Sequence, residues 1–288
     1  MDIAIHLGAH CTDEDRILRT LLRNRPALNE AKVTIPAPGR ARPAIRQALR
    51  ARSGDLAAGF GESFLETIAD DVGADRMILS YEGFLGIYAQ VLNGHGMYAE
   101  AGNRAQGLRD LFAGHRLGFH LAIRNPATFV PAIFDASTVV SFRDFVEGQD
   151  LNTLLWRPVV TAILEACPGI PLTVWCNEDL PLIWTEVLRR VSGLPGPFDG
   201  DDAILRDVLT EDGVGQLDAR LAQNAPTGLD DWSVLAADLL SRHADPEKVE
   251  AEIDLPGWSD EVIAGLSALY TADVAHIRDI PGVIFIDP

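Results

Sequence analysis

The sequence is short of cysteine and of positive charge. Its three cysteines, Cys11, Cys167 and Cys176, are odd in number and widely spaced, so neither a disulfide framework nor a zinc ribbon is expected. Lys and Arg number 24 against 42 Asp and Glu, which gives a formal net charge of −18. A surface of that sign repels the phosphates of nucleic acids and of anionic lipids, so we expect neither as a partner.

We also expect neither a membrane span nor a secretory leader. No stretch of about 18 apolar residues occurs, so no membrane span is predicted. The first residues carry neither the basic part nor the apolar part of a signal peptide. We therefore expect a cytoplasmic location, where thiols stay reduced.

What is present is ample material for a folded core. Hydrophobic residues make up 47% of the chain and charged residues 23%, as in ordinary globular proteins. In the first two-thirds, β-like segments alternate with amphipathic helical ones. The strands are predicted at residues 3–7, 76–80, 116–124 and 170–176, and the helices at residues 13–24, 61–72, 97–114, 126–136, 152–166 and 181–193. This alternation predicts an α/β fold with a central parallel sheet and helices on both faces.

After about Leu194 the pattern changes. Residues 201–278 have helical character throughout. The breaks are predicted near Gly213, Pro226, Pro246 and Pro256. The final segment GVIFID is either a last strand or a tail packed on the body. We predict an α/β domain over residues 1–194 and a helical C-terminal extension over residues 195–288 packed on it, and base rates alone allow a homo-oligomer.

The opening stretch IHLGAHCTDEDRILRTLL is a strand, a glycine, a polar turn and a helix, in the order typical of a phosphate-binding loop. Counted from Gly8, however, the positions of the second glycine, the lysine and the hydroxyl residue hold Asp13, Glu14 and Asp15. Acidic residues there stabilise a helix start by ~0.3–1 kcal/mol each, with Thr12 predicted as the N-cap and Asp15 in the capping-box position. A carboxylate about 4 Å from an anion repels it by roughly 4 kcal/mol at an effective dielectric of 20, so a bound anion is disfavoured unless a cation intervenes.

Four segments together resemble the bacterial sulfotransferases in order and spacing. The opening run of that family, H-x-G-x-H-K-T-G-T-T, has Cys11 here in place of its lysine and Asp-Glu-Asp in place of Gly-Thr-Thr. The residues in register with it are His6, Gly8, His10 and Thr12. The other three segments are ILSYEGF (78–84), AIRNPATFVPAIF (122–134) and VWCNEDLP (174–181). The resemblance covers residues 3–192 and implies a P-loop-type α/β fold.

The resemblance also implies a sulfate donor, phosphoadenosine phosphosulfate, and residues that would bind it. Those in register with the family's motifs are Gly8, His10, Thr12 and Arg124, and Arg42 is added as a source of the positive charge that the opening loop lacks. Glu82 follows a buried strand and would be the base that accepts the proton of a hydroxyl acceptor. A serine that holds the 3′-phosphate in the family is replaced by Ala132.

The residues leave alternatives open at several of these positions. The simpler explanation of Glu82 is a structural carboxylate that anchors a loop. Cys11 is either a reactive thiol at a helix start or a small packed residue. The histidines, cysteine and carboxylates of the loop could converge on a metal ion, although we predict no metal site. Asp179 is expected to cap the helix that follows it.

A basic island interrupts the acidic chain between residues 34 and 54. Its arginines are Arg40, Arg42, Arg46, Arg50 and Arg52. The simplest explanation is a loop followed by a solvated helix face. Alternatively, one of the first three arginines supplies the positive charge that the opening loop lacks.

Two functions are compatible with these features. The opening loop has lost its lysine, its glycine and both threonines. The leading hypothesis is therefore a sulfotransferase-like protein that is either non-catalytic or repurposed to bind a small molecule or a protein segment. No cofactor is certain on this hypothesis. The alternative is an active sulfotransferase that moves a sulfuryl group from phosphoadenosine phosphosulfate to a hydroxyl acceptor with altered donor recognition.

Overall fold

The structure, a computed structural model, describes residues 1–51, 60–69, 73–92, 96–224, 226–249 and 253–288. Arg52 of the basic island and residues 70–72 of the predicted helix 61–72 lie outside this description.

A single parallel sheet forms the centre of the molecule, as the alternation of strands and helices predicts. In the described part of the chain it contains β1 Asp2–His6, β2 Val33–Thr34, β3 Arg76–Ser80, β4 Arg116–Ile123, β5 Leu172–Cys176 and β6 Val283–Ile286. The strand order is β2-β3-β1-β4-β5-β6, and every neighbouring pair is parallel. The final segment is therefore a strand, which pairs with β5.

Helices surround this sheet and continue through the C-terminal third. They are α1 Arg16–Arg23, α2 Arg25–Glu30, α3 Pro38–Ala51, α4 Phe60–Ile68, α5 Ala101–Leu111, α6 Pro126–Ala136, α7 Phe142–Val146, α8 Arg157–Ala166, α9 Leu180–Ser192, α10 Ala203–Val208, α11 Glu211–Gln223, α12 Leu229–His243, α13 Pro246–Val249 and α14 Asp260–Arg278. Short 3-10 turns cover Glu82–Phe84, Tyr88–Gln90, Leu151–Thr153 and Asn177–Asp179.

The two faces of the sheet are covered by different helices because strand side chains alternate in direction. On one face, Phe119 and Leu121 of β4 join a core that includes side chains of α5, α6, α8 and α14. On the other face, Ala4 of β1 and Trp175 of β5 pack with α1 and α9. A smaller cluster joins α10, α11 and α12 around Trp232.

The direction in which the chain leaves the strands changes between β1 and β4. β1 lies between β3 and β4, the chain from β1 leads to β2 on one side, and the chain from β4 leads to β5 on the other. Open α/β sheets bind ligands outside the carboxyl ends of the strands at such a switch point. The opening loop follows β1 and Arg124 follows β4, so both lie at this edge.

Local signals place some boundaries correctly and miss others. β3 and α6 have the predicted limits, and α9 ends at Gly193 in the left-handed conformation. The predicted break at Gly213 is wrong, because this glycine lies inside α11. A Cβ there would lie 2.7 Å from His243 Cβ, so Gly213 permits close packing of α11 on α12.

Candidate functional site

A cavity of about 740 Å³ opens at the carboxyl ends of β1, β3 and β4. We call it the acidic cavity, because four carboxylates and two guanidinium groups line it. Its lining residues are Cys11, Glu14, Asp15, Arg42, Tyr81, Glu82, Tyr88, Arg124, Ala132, Asp135 and Ala136. The structure thus brings the predicted Arg42, Glu82 and Arg124 together at the switch point. The volume falls in the roughly 300–1,000 Å³ range of small-molecule sites.

Gly8 lets the loop pass close to the turn that follows β3. Its φ is +101°, in the region that favours glycine, and a Cβ would lie 2.9 Å from Glu82 Cα. The Gly8 carbonyl accepts the N–H of Ala122 at 2.7 Å, which fixes the loop on β4. Gly8 therefore shapes the loop and does not line the acidic cavity.

His10 is buried behind the loop and carries no charge into the acidic cavity. Its side chain is 2% exposed, and its Nδ1 lies 2.8 Å from the Tyr98 hydroxyl. The imidazole also contacts the ring of Tyr88, with centroids 4.5 Å apart. Burial lowers the pKa of His10 to about 4, so the ring is neutral at physiological pH.

Thr12 does not cap the first helix, contrary to the prediction. Its hydroxyl donates to the carbonyl of Ala9 at 2.7 Å, inside the loop. α1 begins only at Arg16, because Glu14 and Asp15 adopt left-handed φ values of 49° and 65°.

In the opening loop, Asp13 and not Asp15 binds a backbone amide of the first helix, contrary to the prediction. The Asp13 carboxylate accepts the N–H of Ile17 at 3.1 Å and is 4% exposed. Asp15 occupies the N-cap position without a side-chain cap bond, since its carboxylate turns toward Arg42. Glu14 is exposed at the mouth of the acidic cavity.

Three successive amides of the loop already have partners within the protein. The N–H of Ala9 donates to the Ala122 carbonyl at 3.1 Å, and that of His10 to the Tyr98 hydroxyl at 3.0 Å. The N–H of Cys11 donates to Glu82 Oε2 at 3.3 Å. A phosphate-binding loop needs such amides free to point at the anion. Here an internal carboxylate occupies one of them.

Glu82 is anchored at both oxygens. Oε2 accepts the Cys11 amide, and Oε1 accepts the Tyr88 hydroxyl at 3.0 Å. This arrangement ties the turn after β3 to the loop after β1. It corresponds to the structural alternative for this residue, whereas a general base needs an oxygen within hydrogen-bond reach of the acceptor proton.

Arg42 reaches from α3 to the opening loop and neutralises Asp15. Its two terminal nitrogens bind the two carboxylate oxygens at 2.5 and 3.0 Å. The same guanidinium donates to the Ser80 carbonyl at 2.8 Å and lies 5.0 Å from the centre of the Tyr81 ring. Arg46 also lies over that ring, and Arg40 donates to the Ile68 carbonyl at 2.7 Å. The charge that the loop lacks is therefore supplied by Arg42 and is used within the protein.

Arg124 is held at the wall of the acidic cavity by uncharged groups. Its Nη1 donates to the Cys11 carbonyl at 2.6 Å, and its Nε to the Thr128 hydroxyl at 3.1 Å. Within the described ranges no carboxylate lies at ion-pair distance from it. Ala132 forms part of the same wall, so the position of the family's phosphate-binding serine offers no hydroxyl.

Cys11 is partly exposed in the cavity with a protonated thiol. Burial and the nearby Glu82 carboxylate raise its pKa to about 11. Its Sγ donates to the Ala132 carbonyl at 3.5 Å. These contacts agree with the packed alternative for this residue.

The end of β5 differs from the prediction that Asp179 caps the next helix. Asp179 is the N-cap residue of α9 but makes no side-chain cap bond. Instead Glu178 accepts the N–H of Asn125 at 2.8 Å and the Tyr270 hydroxyl at 3.0 Å. Sequence reasoning missed this link because its partners come from three distant segments.

Three further observations bear on the class of protein. In the part of the chain that the structure describes, no three His, Cys, Asp or Glu side chains are grouped so as to hold a metal ion. No helix within the described residues is long and apolar enough to span a bilayer. No model of a protein family matches the sequence, and no curated protein matches it.

Proposed function

We propose that the chain is a sulfotransferase-like protein whose acidic cavity binds a small molecule without sulfuryl transfer. One observation carries this proposal: the Glu82 carboxylate occupies the Cys11 amide, where an anionic donor group would have to bind. The loop residues present do not fit phosphoadenosine phosphosulfate. The amides of Ala9, His10 and Cys11 have partners within the protein, the Thr12 hydroxyl is bound to a carbonyl, and Cys11 stands in place of the family's lysine.

The charge of the cavity supports the same conclusion. Its four carboxylates and two guanidinium groups give a formal charge of −2. Arg42 is committed to Asp15, which leaves Arg124 to attract an anion against Glu14, Glu82 and Asp135. At about 4 Å and an effective dielectric of 20, each carboxylate opposes an anion by roughly 4 kcal/mol, as much as one guanidinium contributes. The cavity therefore favours a neutral or cationic ligand.

Titration calorimetry with phosphoadenosine phosphosulfate and with the desulfated bisphosphate tests the proposal. We expect no binding of either nucleotide by the parent protein below about 1 mM, because the anion site is filled and the cavity is negative. Binding in the micromolar range would overturn the proposal.

Two variants sharpen this measurement. Glu82→Gln removes the charge at the Cys11 amide while keeping the shape, and Glu14→Gln removes the same charge from the exposed rim. Glu82→Gln is expected to improve nucleotide binding by at least about tenfold over Glu14→Gln, since only the first weakens the internal contact. Equal behaviour of the two variants would count against a filled anion site.

An active transferase with altered donor recognition is the second candidate. It is favoured by the neutralisation of Asp15 by Arg42 and by the position of Arg124 at the end of β4. On this hypothesis Arg42→Ala and Arg124→Ala would each weaken donor binding by more than about tenfold. The same titrations decide between the candidates, because only an active transferase requires the parent to bind the donor.

A further inference from the structure

A second cavity lies at the opposite edge of the sheet, where the parallel strands begin. It measures about 590 Å³ and is lined by the first residues of β1, β3 and β4 and by the turn before β5. Arg190 of α9 and Ile284 of β6 complete the lining. We call it the basic cavity, and it shares no lining residue with the acidic cavity.

The basic cavity reverses the charge balance of the molecule. Arg76, Arg116 and Arg190 line it together with one carboxylate, Asp2, in a chain with 42 acidic and 24 basic residues. Asp2 is bound at both oxygens by Arg116, at 2.6 and 2.7 Å. Arg190 pairs with Glu186, one turn earlier on α9, at 2.7 Å. Asp2 also attracts Arg76 from beyond ion-pair distance, but its oxygens are bound by Arg116.

Backbone carbonyls hold the Arg76 guanidinium at the wall of this cavity. Its Nη2 donates to the carbonyls of Arg190 and Val191 at the end of α9, at 3.2 and 3.0 Å. Its guanidinium also lies against Gly193, where a Cβ would be 3.2 Å from Nε. In the described part of the chain no acidic side chain is within ion-pair distance of Arg76. A fixed, half-buried guanidinium is suited to bind a carboxylate or a phosphate.

His120 lines the same cavity. Its side chain is 4% exposed, and its Nδ1 has no hydrogen-bond partner among the described residues. The ring lies over Gly118, where a Cβ would be 4.0 Å from Nε2. Burial lowers the pKa of His120 to about 3, with Arg76 and Arg190 contributing, so the ring is neutral. The other ring nitrogen, Nε2, lies beside Gly118, another lining residue, and is the polar atom of this side chain that a ligand in the cavity can meet.

Apolar side chains complete the lining. Ile3 and Leu117 come from the strands, Ile170 and Pro171 from the turn before β5, and Ile284 from β6. Ile284 is 39% exposed on β6, an edge strand of the sheet. A ligand that covers it would bury apolar surface in addition to its contacts with the arginines.

We propose that the basic cavity binds a small organic anion. Its carboxylate or phosphate group lies at Arg76 and Arg190, a polar atom meets the ring of His120, and its apolar body covers Ile284. The site is separate from the acidic cavity and does not depend on the function proposed there.

Titration calorimetry at constant ionic strength, with benzoate and phenyl phosphate as anionic probes, tests the site. Benzyl alcohol, which has the ring but no charge, is the control ligand. We expect at least one anion to bind with a dissociation constant below about 1 mM, and benzyl alcohol to bind at least about tenfold more weakly. Benzoate alone, phenyl phosphate alone, or both would each support the site and identify the anionic group. Failure of both anions to bind below about 10 mM would overturn it.

Matched variants locate the binding. Arg190→Gln removes an arginine that lines the cavity and pairs with Glu186, four residues earlier on the same helix. Arg242→Gln is the matched control, because Arg242 pairs with Asp238 in the same way on a helix that does not line the cavity. The first is expected to weaken anion binding by about tenfold and the second by less than about twofold. Equal weakening by both would show general charge attraction and overturn the site.

A variant that leaves every charge in place gives an independent check. Gly118→Val fills the space beside the His120 ring, and valine is compatible with a strand. We expect it to abolish anion binding while its melting temperature stays close to that of the parent. A bound anion should also shift the ring nitrogen resonances of His120 in the parent protein. Unchanged affinity in Gly118→Val, or unmoved His120 resonances at saturation, would contradict the proposal.

Discussion

At the residue scale, Cys11 combines partial exposure with an unreactive thiol. Its pKa is raised to about 11, so at pH 8 it carries about two orders of magnitude less thiolate than a cysteine with a pKa near 8.5. We predict slow alkylation by iodoacetamide, with a rate that rises about tenfold per pH unit until the pH approaches the pKa. Mass spectrometry of the peptide that contains Cys11, over a series of pH values, measures this rate.

The physical cause of that pKa supplies the control. Glu82→Gln removes the second contribution to the shift, the nearby carboxylate charge, and should speed alkylation of Cys11 at fixed pH by about fivefold. Glu14→Gln changes a weaker contribution and should have a smaller effect. Rapid labelling of the folded parent at pH 7, as fast as in urea, would contradict the buried, protonated thiol.

Single residues also show what the sequence alone could and could not predict about the candidate site. Arg42, Glu82 and Arg124, three of the residues predicted near one ligand site, line one cavity at the switch point, whereas Gly8 does not line it. Their partners could not be predicted, because Glu82 binds an amide 71 positions away and Arg42 binds a carboxylate 27 positions away. A residue type and its position along a strand indicate where a side chain lies, while its contacts depend on packing.

At the element scale, α14 caps the start of α8. The Asp273 carboxylate, 4% exposed, accepts the N–H groups of Trp156 and Arg157 at 2.6 and 3.0 Å. These amides have no acceptor within their own helix, and a carboxylate there also interacts favourably with the helix dipole.

We predict that Asp273→Asn destabilises the fold by about 2 kcal/mol, because an amide replaces one acceptor oxygen with a donor and removes the charge. Asp260→Asn, on an exposed turn of the same helix, should cost less than about 1 kcal/mol. Urea unfolding of the two variants and the parent measures both values. A loss below about 0.5 kcal/mol for Asp273→Asn would mean that this cap contributes little.

The same cap explains why helix limits were predicted unevenly. α6 begins at Pro126 and α9 ends before Gly193, signals that act within one turn of the chain. The residues before α8 were predicted as helix, but they form a 3-10 turn at Leu151–Thr153 followed by a cap from α14. Boundaries set by distant carboxylates leave no local pattern in the sequence.

At the scale of the whole molecule, periodicity was sufficient for the fold class. Strands with buried side chains on both faces alternate with helices, which predicts a parallel sheet whatever the strand order. The order itself, with β1 between β3 and β4, depends on which apolar faces pack together, and a single sequence does not contain that information in readable form. The basic cavity was missed for the same reason, because its arginines come from β3, β4 and α9.

The formal charge of −18 leads to a prediction about salt. Salt screens two opposing effects: the attraction within surface ion pairs, worth about 0–1 kcal/mol each, and the repulsion among excess carboxylates throughout the molecule. Most ion pairs here have at least one partner more than a third exposed, as in Arg16–Asp207 and Arg242–Asp238, so their loss costs little. We therefore expect the repulsion to outweigh the attraction within the ion pairs, so that screening both stabilises the fold.

We predict that the melting temperature at pH 7.5 rises by about 3–6 °C between about 0.01 and 0.3 M sodium chloride. Most of the rise should occur below about 0.15 M, because the screening length falls from about 30 Å at 0.01 M to about 8 Å at 0.15 M. Differential scanning calorimetry measures the shift. At pH 5, close to the sequence pI of 4.6, the net charge is smaller and the same salt series should have a much weaker effect.

A melting temperature that falls with salt at pH 7.5 would show that the ion pairs outweigh the repulsion. An equal rise at pH 5 and pH 7.5 would show that salt acts on hydrophobic burial rather than on charge, since that effect does not depend on the net charge of the protein.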